Sequence, residues 1–473
     1  MSRTPVETFM NDPMAFFERS ITKMHEIPRD ELASLQRSAM ALRFAEQRES
    51  IAMLRKLAER LDIKEVREFD DLVPLFFAHT AFKSYPPSLI DRKRFDLMTK
   101  WLGQLTPYDL SQVDAEGCES LDDWIDRLDE QTPLEVITSS GTTGTLSIIP
   151  KDKDGSVYGM ELWKMFLFQT FGKEPTPEEL DPRVDVIWPN HAKGKLGHLR
   201  IAAMIKRSFT GGDEKRFHAL YSQEVSTDLM FLASKLRAAA TRGELDRVVI
   251  DPKLLARKDE FQAMQARRPA EMSAFFERCS EQLAGKRVFM TGTYNLMYEL
   301  AVEGLKRGVK NVFARDSAIL TGGGLKGFVL PENYMDVIQE FLGVDEIQEG
   351  YGFSEIGAFH WACREKRYHV QPWVIPFLLD PDTSRPLPRE GVVTGRAAFY
   401  DILNRSHWGG VISGDEITID WSTRCPCGLA SVPIAHDIMR YSEKKGAEDD
   451  RISCSATEEV QNEALSFMRE VDV

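Results

Sequence analysis

The sequence predicts an α/β protein, and two observations carry that expectation. From about residue 130 onward, short apolar runs of strand length alternate with amphipathic stretches of helical period, the pattern of a sheet whose strands are joined by packed helices. The chain is also long, 473 residues with 42% hydrophobic and 28% charged, which suits a large buried core and does not describe a disordered polymer.

Residues 1 to 115 are expected to be mainly helical and packed on the core. Leu35, Leu42, Ile51, Leu54, Leu57 and Leu61 recur at roughly helical spacing among Arg and Glu, until Pro86-Pro87 interrupts the pattern. A core is expected over 116–445, with strands at 184–188, 247–250, 287–290, 318–320 and 392–394 and a helix over 295–307. After Asp251-Pro252 a charged helical region runs to about 285 and reads as a solvated insertion without chemistry of its own. No internal repeat or low-complexity segment interrupts the chain.

Sixty Lys and Arg face 74 Asp and Glu, a net charge of −14, which argues against a general nucleic-acid binder. The N-terminus has no uninterrupted apolar core of a signal peptide, and no run of eighteen apolar residues occurs, so no membrane span and a cytoplasmic location are expected. Cysteines at 118, 279, 363, 425, 427 and 454 are too few and scattered for a disulfide framework; reduced thiols or metal ligands are expected.

The most informative segment is Thr138-Ser139-Ser140-Gly141-Thr142-Thr143-Gly144-Thr145, set between apolar runs ending at Ile137 and covering 146–149. Such a loop can turn backbone N–H groups and hydroxyls around an anion, because glycine permits the dihedrals and nothing bulky blocks approach. It lacks the lysine ending of a Walker loop, and a plain surface turn of the same composition is the alternative. Three further segments follow: Thr321-Gly322-Gly323-Gly324-Leu325-Lys326, Tyr351-Gly352-Phe353-Ser354-Glu355 and Ser413-Gly414-Asp415. Read singly, the glycines could be a turn, Glu355 a helix N-terminal acid, and Asp415 a turn residue.

In this order the four segments resemble the landmarks of the adenylate-forming superfamily, which contains acyl-CoA synthetases, peptide-synthetase adenylation domains and firefly-type luciferases. The resemblance implies ATP-dependent, AMP-forming activation of a carboxylic acid. Ser139, Ser140, Gly141, Thr142, Thr143 and Gly144 would wrap the β- and γ-phosphates, with Thr142 and Thr143 acting with Glu355 in catalysis. Glu355 would hold Mg²⁺, Gly322, Gly323, Gly324, Tyr351, Gly352 and Ser354 would border the nucleotide, and Asp415 would accept both ribose hydroxyls. Joining a carboxylate to an α-phosphate brings two anions together, so such a site works by neutralising charge and positioning groups.

The chain departs from the pattern in two places. Leu146-Ser147 stand where many members carry Pro-Lys, and the nearest lysine is Lys151, so the cation that helps neutralise pyrophosphate is missing or comes from elsewhere. That form of the loop resembles the acyl-protein synthetase of bacterial bioluminescence. The segment 446–452 resembles the hinge of phenylacetate:CoA ligases, with Ala447 in place of the arginine, so that 446–473 holds only a hinge remnant and a short tail. The mobile C-terminal lid domain with its adenylation lysine is therefore expected to be absent.

Cys425-Pro426-Cys427 and the pair Cys363 and His369 are also similar to phenylacetate:CoA ligases. The resemblance implies a closed Zn²⁺ site of structural type, with His360 as a substitute ligand; buried or incidental cysteines are the alternative. His191, after the strand at 184–188, would face the acyl carboxylate or simply hydrogen-bond at the strand end, and His218 is a weaker candidate. The expected partners are a small carboxylic acid and, as acceptor, CoA, a carrier-protein thiol or another nucleophile. A cysteine relay through Cys279, Cys363 or Cys454, as in an acyl-protein synthetase, and a nucleotide-binding regulator are the competing readings.

Overall fold

The strands expected at 184–188, 287–290 and 318–320 lie side by side in one sheet. The computed structural model describes residues 3–139, 145–153, 156–322, 329–422 and 424–441. Phe217–Val225, Asp185–Gly194, Val288–Gly292, Ala318–Gly322 and Gln348–Tyr351 follow one another across the sheet, all parallel. Their centres are apolar on both faces, with Val186, Val288, Phe289 and Ile319 fully buried, because helices cover both sides. The sheet continues antiparallel through His360–Ala362, Arg367–His369, Pro433–Ala435, Gly410–Asp420 and Val392–Asp401 to Val374–Leu379. The α/β expectation therefore holds, and the helix expected at 295–307 forms as Tyr294–Lys306.

The segment 247–250 is not a strand. Leu245–Arg247 is a single 3₁₀ turn, Pro252 opens the next helix, and Val249 is 77% exposed. Four residues between two helices, with one of their two valines in water, have no sheet neighbour to satisfy their backbone.

The N-terminal region is helical; of the expected stripe, Ile51 and Leu54 are buried and Leu35 and Leu57 pack against the core, whereas Leu42 and Leu61 face outward. In the Arg29–Ser50 helix the inward residues are Gln36, Ala39, Met40, Arg43, Phe44 and Gln47, while Leu42 is 46% exposed. Polar members of this face replace hydrophobic contact with bonds to carbonyls. Gln36 Nε2 donates to Pro372 O (2.7 Å), Arg43 Nε to Ile402 O (3.0 Å), and Gln47 Nε2 to Asn404 O (2.8 Å). Hydrophobic periodicity could not find that face, since half of it is polar.

Nor is the helical region after Pro252 merely solvated. Phe261, Phe275 and Phe276 of the Lys258–Glu277 helix are buried in the cores around the parallel strands. Elsewhere the Leu121–Gln131 and Thr227–Arg242 helices meet N-terminus to N-terminus with crossed acids. Asp228 accepts from the N–H groups of Leu121 (2.7 Å) and Asp122 (3.1 Å), and Asp122 accepts from Thr227 N (2.9 Å) and Ser226 Oγ (2.9 Å). Each carboxylate answers the orphan donors and positive dipole end of the opposite helix.

Candidate functional site

The predicted landmarks gather where the parallel strands end, the edge at which open α/β sheets bind ligands. Leu134–Ser139 and Ser147–Asp152 form an antiparallel hairpin in which Ser139 faces Ser147, Ile137 faces Ile149 and Glu135 faces Lys151. Ser140, Gly141, Thr142, Thr143 and Gly144 join the two strands and lie outside the described residues. The base of the hairpin is held on both sides. Thr138 N donates to Lys195 O (2.8 Å), at the approach to the Gly197–Thr210 helix, and Tyr85 Oη donates to Leu146 O (2.9 Å).

The second landmark begins on the Gln348–Tyr351 strand. Beside it, a Cβ added to Gly350 would fall 1.8 Å from the ring of Phe359, and one on Gly352 would be 3.0 Å from Ala358 O, so the 352–359 turn folds tightly back over the strand end. Gly322 closes the neighbouring strand under the same ring, 3.0 Å from it by the same measure, and Gly323 and Gly324 lie outside the described residues. A Cβ on Gly197 would be 3.5 Å from both Ser354 Oγ and Ile137 Cδ1, which brings the turn, the hairpin and the start of the Gly197–Thr210 helix together.

Tyr351 and Asp415, 64 residues apart, meet directly. Tyr351 Oη donates to Asp415 Oδ2 at 2.8 Å, Asp415 N donates to Ser413 Oγ at 2.9 Å, and Arg440 Nε stands 3.7 Å from Asp415 Oδ1. Along Gly410–Asp420 burial alternates, so Asp415 points to the same buried side as Ile417 and Ile419. Burial and the neighbouring carboxylate push the Tyr351 phenol well above its usual range, so it stays protonated as a donor.

Glu355 is half-buried, and burial raises its carboxyl above the ordinary range, partly offset by its own backbone N–H and by His79, Lys151 and Lys83. Behind it sits Asp401, whose Oδ2 accepts from Gly357 N (2.8 Å) and Oδ1 from Leu403 N (3.0 Å). Burial raises the Asp401 carboxyl as well. Lys151, Asp401, His79 and Arg440 had no place in the four motifs; for Lys151 the available signal was strand alternation, which puts it on the same side as Ser147 and Ile149.

His191 is buried on the Asp185–Gly194 strand and lines a small cavity with Gln223, Glu224, Ser226 and Arg268. Its ring centroid lies 4.9 Å from that of Tyr221, and burial with the Arg268 charge holds its pKa down to about 4, so the imidazole is neutral. His218 Nε2 pairs with Asp185 Oδ1 at 3.0 Å.

The thiols and imidazole expected to hold a metal do converge. One donor atom from each of Cys363, His369, Cys425 and Cys427 lies within 4.8 Å of every other, with Cys363 Sγ 3.8 Å from Cys425 Sγ and Cys427 Sγ 3.4 Å from His369 Nε2. A tetrahedron with Zn–S of about 2.3 Å has S···S edges of roughly 3.8 Å, so the cluster has the dimensions of a zinc site. His369 turns its other nitrogen, Nδ1, to Ser431 Oγ (2.9 Å), and that hydroxyl also bonds His25 Nδ1 (2.7 Å). His360 is not part of the cluster; its ring packs against Phe399 and Tyr351. Burial pushes the Cys427 thiol up to about 12, which a bound cation would reverse. Cys279 is buried at the end of the Lys258–Glu277 helix, its thiol likewise raised to about 12 by burial, a poor setting for an acyl relay. Cys454 and the segment 446–452 lie outside the described residues, and no helix among the described residues is long and apolar enough to cross a membrane.

In comparisons with known proteins, no family model and no curated protein matches the chain. Among solved structures it is similar to an open conformation of 2-hydroxyisobutyryl-CoA ligase in complex with 2-HIB-AMP and CoA, with 11% identity, 89% of this chain and 78% of that chain covered, and a TM-score of 0.48. The thioesterification state of the same ligase gives 12% identity, coverage of 88% and 70%, and a TM-score of 0.49. ATP-bound MatB from Rhodopseudomonas palustris gives 15% identity, coverage of 63% and 47%, and a TM-score of 0.30.

Proposed function

We propose that this chain activates a carboxylic acid with ATP, forming an acyl or aryl adenylate and pyrophosphate, and passes the acyl group to CoA, a carrier thiol or another nucleophile. The observation that carries the reading is the Tyr351–Asp415 hydrogen bond. It joins two of the four ordered landmarks at the sheet edge where the hairpin and the Glu355 turn also arrive. A carboxylate held there by a phenol and Arg440 is set to accept the two hydroxyls of a ribose, and charge-assisted bonds of that kind are strong.

In this reading Glu355 is the ligand for Mg²⁺, a hard cation suited to a carboxylate and water. The positive groups His79, Lys151 and Lys83 lie within electrostatic range of its carboxylate. When bound, Mg²⁺ neutralises phosphate oxygens. The residues 139–144 grip the β- and γ-phosphates, Thr142 and Thr143 by their hydroxyls. Gly322, Gly323, Gly324, Gly352 and Ser354 form the wall beside the nucleotide. The neutral imidazole of His191 is the side chain offered to the acyl carboxylate. Cys363, His369, Cys425 and Cys427 hold a structural Zn²⁺ that ties the antiparallel half of the sheet to the loop before Pro433–Ala435.

A screen of carboxylic acids by ATP–pyrophosphate exchange tests the proposal. Exchange that depends on a particular acid is the expected result, and ATP binding without exchange for any acid would favour a nucleotide-binding regulator.

A further inference from the structure

We propose that Lys151 is the cation that grips the pyrophosphate end of the nucleotide, replacing the lysine that the loop itself lacks; this rests on the adenylating reading above. The Ser147–Asp152 strand leads directly out of the phosphate loop, and its alternating residues point to opposite sides. Ile149 joins the core that contains Ile137, Tyr351 and Ile356, whereas Ile148 joins the one containing Trp124 and Val136. Lys151 shares the side of Ile149. It is thereby aimed at the 351–357 turn, although it comes four residues later in sequence than the position usual for such a lysine.

Its surroundings are those of a charge held ready. Two carboxylates, Glu355 and Asp401, attract the ammonium, and the buried imidazole of His407 also lies within electrostatic range. Asp401 already accepts two backbone N–H bonds, which anchor the turn just after Glu355. Neither carboxylate closes to an ion pair with Lys151 among the described residues. A purely structural pair would close, since an uncompensated buried charge is expensive. Burial lowers the ammonium to about 8, and an arriving polyanion would stabilise its charged form. The same side therefore presents a carboxylate for a metal and an ammonium for phosphate oxygens, the two parts needed to hold a departing pyrophosphate.

The test is calorimetric titration of inorganic pyrophosphate with Mg²⁺ into the full chain and its K151R, K151M and K151Q variants, each checked by thermal melting. Loss of a charge-assisted contact should weaken binding by about 10- to 100-fold in K151M and K151Q. K151R, which keeps the charge, should stay within about threefold of the parent chain. The neutral variants deprive Glu355 and Asp401 of a favourable charge and should melt somewhat lower, so two of them are read and only variants that remain folded decide the outcome. Pyrophosphate binding by the parent chain that survives unchanged in a folded neutral variant overturns the assignment of Lys151. If the parent chain binds neither pyrophosphate nor ATP, the nucleotide reading itself falls.

Discussion

Replacing Asp228 by Asn should stabilise the protein, and more so at alkaline pH than at pH 5. Asp228 and Asp122 stand between two helix N-termini, each accepting from the other helix. Burial and the Asp122 charge raise the Asp228 carboxyl to about 7, against 3.8 for the free side chain. A carboxyl raised in the folded state favours folding while it is protonated. Stability is therefore lost as pH climbs from the unfolded value of about 4 through 7, and the full deficit persists above that. Three units correspond to about 4 kcal/mol, and halving this for the residual solvent access of Asp228 leaves about 2 kcal/mol. Asn keeps an oxygen for the Leu121 N–H and stays neutral at every pH, while giving up the longer bond from the Asp122 N–H to the second oxygen. Urea unfolding of Asp228→Asn and the parent chain should then show a gain of about 1 to 2 kcal/mol at pH 8 and roughly a third of that at pH 5. An equal effect at both values would refute the raised Asp228 carboxyl. The nearby Arg257, within electrostatic range of both acids, should be kept intact in both chains.

Three further outcomes follow from the sites described. Asp415→Ala should weaken ATP binding through the loss of two hydroxyl contacts of about 1.5 to 3 kcal/mol each, measured by calorimetry; unchanged affinity would remove Asp415 from the ribose site. Glu355→Gln should fold normally yet lower Mg²⁺-dependent exchange by about 100-fold or more, and near-normal exchange would reject it as the metal ligand. Protein purified without added zinc should carry about one zinc per chain, and Cys425→Ser should lower both zinc content and melting temperature, because a structural metal contributes to folding free energy. Metal-free protein of normal stability would dispose of the zinc assignment.

What could be read from the sequence was local chemistry with a strong residue signature. Tyr351, Glu355 and Asp415 were found from short motifs, and Tyr351 and Asp415 do meet. Cys363, His369, Cys425 and Cys427 came from the resemblance to phenylacetate:CoA ligases, and they converge because His360–Ala362, Arg367–His369 and Pro433–Ala435 are neighbours in the sheet. What could not be read depends on pairings across hundreds of residues. Asp401 lies at the end of an edge-side strand with no motif around it, and only its bond to Gly357 N reveals its place behind Glu355. The inward face of the Arg29–Ser50 helix was misread for the same reason: Gln36, Arg43 and Gln47 look like solvent residues until their distant carbonyls are known.

Those three side chains also set an order for the chain's birth. Their acceptors lie 336 to 359 residues downstream, and at a synthesis rate of about 5 to 20 residues per second the helix waits roughly 20 to 70 s for them to leave the ribosome. Throughout that interval full docking is disfavoured, because burying Arg43 without the Ile402 carbonyl would leave its Nε–H unpaired. The nascent N-terminus thus remains in water, its polar face acting as a lock that only the last third of the polypeptide can open.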